Sequence, residues 1–304
     1  MSALGELAVT AAQRRTAAGG VRLSSGVRLS SVSFRVFRER RASARPTRYS
    51  TIGADLLRAY GRDPAAGAGT DSAAEAQAWR GNTFRSMSEE LLGHCPEPVP
   101  DLDLIVLAYQ TPDLHVAEAA GCYLAERCPG DPISFAVSEQ ASGAPFTALR
   151  VADAMYRFGD LTAGAVFVLD PTTPIRDADP LSMPAEDSAV LMLLGGAGEV
   201  SVEFVQDRRC GDPAAGLRDA RARFPSTGTV IGTALARQLP TSTVDDTGTV
   251  VAPAEHLCTS AWIALAACWP LTGPVLVADY DPYARRLYTC GLRPVSPVSP
   301  VSWS

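Results

Sequence analysis

The residues of this 304-residue chain that could do chemistry gather at two strand-to-helix turns. The first reads Ser138-Glu139-Gln140-Ala141-Ser142-Gly143. An apolar, β-prone run, Ile133 to Val137, precedes it, and Phe146, Leu149, Ala152 and Met155 follow at helical spacings of three. Strand, sharp turn and helix push one side chain into a cleft at a helix N-terminus. There, free N–H groups and the positive dipole end favour an anion or an activated nucleophile. Ser142 stands at or next to that apex. As a nucleophile it needs a base within hydrogen-bond reach. As an N-cap it would instead satisfy the orphan amides of the helix. Glu139 could polarise the serine or serve as a second capping partner.

The second turn runs through Pro253-Ala254-Glu255-His256-Leu257-Cys258 into an apolar helix, Thr259 to Cys268. His256 reads as a base for Ser142 or as a hydrogen-bonded loop residue. Cys258, at a helix N-terminus, would have a lowered pKa if exposed, whereas Leu257 and Trp262 around it favour a buried, unreactive thiol. Asp170 ends another buried strand, next to Pro171. Asp101 and Asp103 read as solubilising strand-edge residues, and Asp245-Asp246 as a hairpin turn.

Composition narrows the chemistry. Hydrophobic residues make up 46% and charged residues 20%, enough for a substantial core. A net charge of −6 argues against a general nucleic-acid binder. All 27 basic residues are arginine, which excludes lysine Schiff-base chemistry and a Walker-type phosphate loop. The seven cysteines have neither C-x-x-C spacing nor a histidine at metal-site spacing, so they read as reduced thiols of a cytoplasmic protein with no metal. No apolar run approaches about 18 residues, so no transmembrane helix and no membrane partner are expected.

The elements that position the two turns alternate between strand and helix, the pattern of an α/β sandwich with buried strands. Strands are predicted over Val32–Phe37, Leu102–Tyr109, Ile133–Val137, Ala163–Leu169, Ser188–Leu194, Val200–Val205, Thr229–Ile231, Thr249–Val251, Val275–Ala278 and Arg286–Leu292. Helices are predicted over Ala74–Leu92, Val116–Arg127, the stretch after Ser142, Pro213–Arg223 and Thr259–Cys268. The two turn regions follow one recipe, each closed by a similar strand, AVFVLD or VLVADY. An internal duplication follows, with two helix N-termini facing one cleft. The expected organisation is a flexible arm over 1–31, where GVRLSS occurs twice, halves over 32–195 and 196–293, and a disordered tail over 294–304. The arginines from Arg35 to Arg48 read as a solvated loop or a docking patch for an acidic partner.

Three segments carry a resemblance: DLDLIVLAYQTPD from Asp101, SEQASGAPFTALRVA from Ser138 and HLCTSAWIALA from His256. In this order they resemble the thiolase-fold condensing enzymes, specifically ketoacyl-ACP synthase III. The resemblance implies a five-layered αβαβα sandwich with pseudo-duplicated halves, usually a dimer. It also implies a cysteine nucleophile at the central turn, a histidine and an asparagine for the decarboxylative step, and a glycine-rich loop. Here the cysteine position falls on Ala141 or Ser142, depending on the alignment. Gly232 stands for the histidine, Cys258 for the asparagine, and Asp279-Tyr280-Asp281-Pro282-Tyr283 for the glycine-rich loop.

The expected function is a ketoacyl-ACP synthase III-like protein of fatty-acid or polyketide-type secondary metabolism. Its expected role is a non-catalytic subunit paired with an active ketosynthase. The alternative is an acyltransferase or priming enzyme using Ser142, with His256 as base. No resident cofactor is expected; an acyl carrier protein or a CoA thioester would be the acyl donor. Ile133–Val137, with Phe135, is expected to pair with a homologous protomer. Leu114 or His115 is expected to line the partner's acyl tunnel, as the resemblance implies.

Overall fold

The computed structural model of the chain describes residues 26–39, 81–113, 118–172, 184–244, 246, 248–254 and 256–295. The strands are β1 (Arg28–Phe37), β2 (Leu102–Tyr109), β3 (Gly130–Ser138), β4 (Ala163–Asp170), β5 (Asp187–Gly195), β6 (Val200–Arg209), β7 (Gly228–Ile231), β8 (Thr249–Val251), β9 (Val275–Asp281) and β10 (Arg286–Pro294). The helices are α1 (Phe84–Gly93), α2 (Ala120–Arg127), α3 (Ala144–Phe158), α4 (Pro213–Arg223), the single turns α5 (Thr233–Ala236) and α6 (Thr241–Val244), and α7 (Ser260–Ala267). Every predicted strand is present. β1 starts at Arg28, so Arg28 to Ser31 belong to the sheet rather than to an arm.

The strand order is β3-β2-β4-β5-β1-β6-β10-β9-β7-β8. Read inward from each end, it is the same five-strand arrangement twice. Three parallel strands, β3-β2-β4 or β8-β7-β9, are followed by two antiparallel ones, β5-β1 or β10-β6. Among the described residues the two sets meet where Arg28 and Leu29 pair with Ser201 and Val200, next to a bond from the Val202 N–H to the Val27 carbonyl.

Strand periodicity of two sorts the core into layers. On β4, Val166 and Val168 join a central cluster, while Ala165, Phe167 and Leu169 join an outer one with Phe84 and Met87 of α1 and Leu124 of α2. On β9, Val275 and Val277 face the same central cluster, and Leu276 and Ala278 face Leu217 and Ala220 of α4. The central cluster also holds Phe146, Leu149 and Ala152 of α3 and Trp262, Ile263 and Leu265 of α7. Helices α3 and α7 are therefore the middle layer of a five-layered αβαβα sandwich. An apolar helix such as α7 is stable only when covered on all sides, and this layer covers it.

Local signals explain the boundaries. α1 begins at Phe84, where Thr83 and Ser86 form a reciprocal capping box, and the part of the predicted helix over 74–80 lies outside the described residues. α2 begins after Ala119, whose left-handed φ of 44° prevents an earlier start. α3 ends at Gly159, left-handed at φ 80°. Asp103 is not a free edge carboxylate: β2 lies inside the sheet, and Asp103 accepts the backbone N–H of Thr162 at 2.7 Å. Asp246 and Gly248 lie between α6 and β8, and β8 runs parallel to β7, so β7 and β8 do not form a hairpin; Asp245 of the predicted turn lies outside the described residues.

Candidate active site

Parallel strands β2 and β4 pair up to Tyr109 and Leu169, and β7 and β9 up to Ile231 and Ala278. The next residue on β4 is Asp170, and the next on β9 is Asp279. Both point into the middle layer, one from each half, at the level where α3 and α7 begin. Both are about 99% buried.

Asp170 is fully used. Its carboxylate accepts backbone N–H groups from Leu257 (2.9 Å), Cys258 (3.1 Å) and Thr259 (2.9 Å), and the Thr259 hydroxyl at 2.7 Å. A negative charge at these amides satisfies the orphan donors of α7 and complements its dipole. The sequence placed this carboxylate correctly at a strand end but gave no sign that it caps a helix 87 residues away.

Asp279 is held more loosely. Oδ1 accepts the N–H of Tyr280 at 2.8 Å and of Leu235 at 3.1 Å, while Oδ2 has only the Ser260 hydroxyl at 3.3 Å. Burial pushes its pKa from an ordinary 3.8 up to about 7, against the partial relief of these donors. Its carboxyl also fills a defined space. A β-carbon at Gly232 would lie 2.1 Å from it, so residue 232 can carry no side chain while Asp279 stands there. Sequence reasoning saw Gly232 as the replaced histidine and Asp279 as part of a replaced loop. It missed that the Asp279 carboxyl lies where a side chain at position 232 would project. An aspartate at the end of the apolar run Val275 to Ala278 was the available signal.

The first turn holds two left-handed residues, Glu139 at φ 58° and Ala141 at φ 45°. Such strain in residues other than glycine collects at sharp, functionally shaped turns. The strained apex residue next to the helix is Ala141, whose methyl group offers no nucleophile, and Ser142 follows it in a 3-10 turn (Ala141–Gly143). Ser142 is 6% exposed, and its Oγ has no hydrogen-bond partner. It does not cap α3, whose N-terminus has no side-chain cap, so the capping reading is not what forms. Glu139 is exposed and likewise does not cap α3. The hydroxyl lies close enough to the Asp279 carboxyl to favour its ionised form, short of hydrogen-bond geometry.

Cys258 meets the same turn from the other half, its thiol donating to the Ala141 carbonyl at 2.9 Å. The two helix N-termini therefore face each other, and Ser142 and Cys258 are brought together. Burial first, then the charges of Asp170 and Asp279, raise the thiol's pKa well above 9.0. Proximity to a helix N-terminus does not overcome those terms, so Cys258 is the inert thiol of the two readings. His256 is buried at 3% exposure two residues upstream, and no hydrogen bond joins it to Ser142.

Tyr288, opposite Asp279 across the β9–β10 ladder, closes the site. Its ring stacks on Phe146 at 5.7 Å, and Phe146 tilts against Trp262 at 5.0 Å. A β-carbon at Gly143 would lie 2.2 Å from the Tyr288 ring, so this position must be glycine. Phe135 is half-buried against the same central cluster, while Leu114 and His115 lie outside the described residues. Most of the arginine run, from Arg40 onward, also lies outside them. Among the described residues no group of three His, Cys, Asp or Glu side chains is placed to hold a metal, and no helix is long and apolar enough to cross a membrane.

Neither a protein-family model nor a curated protein sequence matches the chain. Solved structures do. The 3-oxoacyl-(acyl carrier protein) synthase III FabH from Pseudomonas aeruginosa PAO1 is 13% identical, with 90% of this chain and 100% of that one covered and a TM-score of 0.57. An OleA variant from Xanthomonas campestris, with bound lauric acid and lauroyl-CoA, is 11% identical over 89% of this chain and 100% of that one, at a TM-score of 0.58. ChlB3, described as an acyltransferase, is 12% identical over 90% and 98%, at 0.53. Strand order, layering and these likenesses agree: the chain has the thiolase fold of these enzymes.

Proposed function

We propose that the chain is a subunit of a condensing-enzyme pair, of fatty-acid or polyketide-type secondary metabolism, that does not itself form carbon–carbon bonds. The observation that carries this reading is the Asp279 carboxyl in the space a side chain at position 232 would occupy. Decarboxylative condensation builds negative charge on an enolate and needs donors aimed at it. This site offers a buried carboxyl, a thiol held neutral, and a methyl group at the strained apex. The first of these opposes such a charge once ionised, and the other two supply neither nucleophile nor strong donor.

Pairing is the second part of the proposal. β3 is an edge strand, and Ile133 on it is 64% exposed, an apolar edge that invites another strand. A homologous ketosynthase protomer, with the same strand at its edge, is the partner proposed, in a cytoplasmic complex that takes acyl groups from CoA or an acyl carrier protein. Phe135 packs into the core of its own protomer, so an arginine there would disturb the fold as well as the edge. Ile133→Arg is the cleaner probe. Size-exclusion of the chain mixed with an active ketosynthase III should give a mixed dimer that Ile133→Arg abolishes. A stable monomer under all mixing conditions contradicts the pairing.

A second reading, acyl transfer onto Ser142, is favoured by one observation: a hydroxyl buried in the site with no partner of its own.

A further inference from the structure

We infer that Asp279, not His256, is the base for Ser142, so that the two halves together supply a Ser–Asp pair able to accept one acyl group from a thioester. The inference rests on the acyl-transfer reading of Ser142 and is independent of partner pairing.

Three features of the site converge on it. Ser142 Oγ is buried and has no hydrogen-bond partner, an arrangement that costs stability unless something else is gained. The carboxyl that the Ser142 hydroxyl acts on is that of Asp279, whose Oδ2, among the described residues, accepts one long contact, from Ser260. No side chain caps α3, and its N-terminal dipole end, beginning directly after Ser142 and Gly143, favours negative charge developing there. A base that titrates near neutral pH suits proton transfer, and burial gives Asp279 that property. Phe146, Trp262 and Tyr288 pack as an aromatic cluster beside the turn, so its surroundings are apolar.

The step balances without any further reactant. The Ser142 Oγ to acyl-carbon bond forms as the carbon–sulfur bond of the thioester breaks. The hydroxyl proton passes to the Asp279 carboxylate and from there to the departing thiolate, which leaves as a thiol. The groups facing Asp279 are the Ser142 hydroxyl from the first turn, Cys258 and Ser260 at the start of α7, and Tyr288 from β10, with the Asp170 charge beyond Cys258.

The test is intact-mass analysis and peptide mapping of the full chain incubated with acetyl-CoA or octanoyl-CoA, for the wild type, Ser142→Ala and Asp279→Asn. The expected result is a single adduct on Ser142, absent in Ser142→Ala and formed about a hundredfold more slowly in Asp279→Asn. In the wild type its rate should rise with pH and level off above about 7. Should Asp279→Asn not fold, that wild-type pH profile decides. No adduct on Ser142 at any pH overturns both the acyl-transfer reading and this inference. An adduct that forms equally fast in Asp279→Asn, or with a flat pH profile, overturns the assignment of Asp279 alone.

Discussion

Asp170 and Asp279 occupy the same place in two copies of one arrangement, yet they do different things. Asp170 accepts three backbone amides and a hydroxyl, which makes it a fixed part of the scaffold. Asp279 accepts two amides and one long serine contact, sits where a side chain at 232 would go, and is held near neutrality. Each half brings a buried carboxyl to a strand end, and the number of donors around each separates a cap from the proposed acid–base group. Donor supply, more than residue type or burial, sets the role of a buried carboxyl here.

Removing the scaffold carboxyl should have the largest effect. Asp170→Ala leaves three backbone amides, two of them buried, without their acceptor, at about 1–3 kcal/mol each, and leaves the Thr259 hydroxyl with Ser188 alone. Chemical denaturation should show a loss on the order of 5 kcal/mol, or no folded protein at all. A loss under about 1 kcal/mol would erase the difference between the two aspartates.

Asp279 should show itself in the pH dependence of stability. Its folded pKa of about 7 lies above the ordinary 3.8, so folding favours its protonated form. That contribution is fully present below about pH 4 and is lost as pH rises toward 7. The loss is on the order of 4 kcal/mol across the window. Denaturation curves for the wild type minus those for Asp279→Asn should slope downward with pH over that window. A flat difference would mean that Asp279 is as well solvated as an exposed carboxyl.

Steric exclusion gives a smaller, more local test. Gly232→Ala should destabilise by about 1–3 kcal/mol through collision with the Asp279 carboxyl. In the Asp279→Ala background the same change should cost little, and a double-mutant cycle measures the coupling. Additivity of the two changes would show that the carboxyl does not fill that space. The smallest effect concerns Cys258. Its thiol should react with iodoacetamide far more slowly than the exposed Cys122 in the folded protein, with mass mapping as the readout.

Most of the fold was legible because its signals are local. Buried strands such as Leu102 to Tyr109 appear as apolar runs, and the recipe around Phe135 to Ala152 repeats before Ala266. Helix starts were less legible: the left-handed Ala119 overrides apolar periodicity that runs further upstream. The site was legible as a place but not as a set of roles. Ser142 and Cys258 could be put at facing helix N-termini from their turns. Asp170 and Asp279 could not be told apart, since the three amides Asp170 accepts, and the Leu235 amide that Asp279 accepts, come from segments far away in sequence. The exclusion between Gly232 and Asp279 likewise exists only once β7 and β9 lie side by side.

The central claim is that a buried carboxyl has taken the place of the condensing machinery. The most direct measurement is turnover of a malonyl-carrier protein by the pure chain in the presence of an acyl-CoA, followed by mass spectrometry of the carrier. Loss of one oxyanion donor alone costs a hundredfold or more in rate, and the proposed reading has the nucleophile and both donors replaced. The account predicts malonyl-carrier left intact and no β-ketoacyl product. Sustained decarboxylation with formation of a β-ketoacyl-carrier by the pure protein would contradict it.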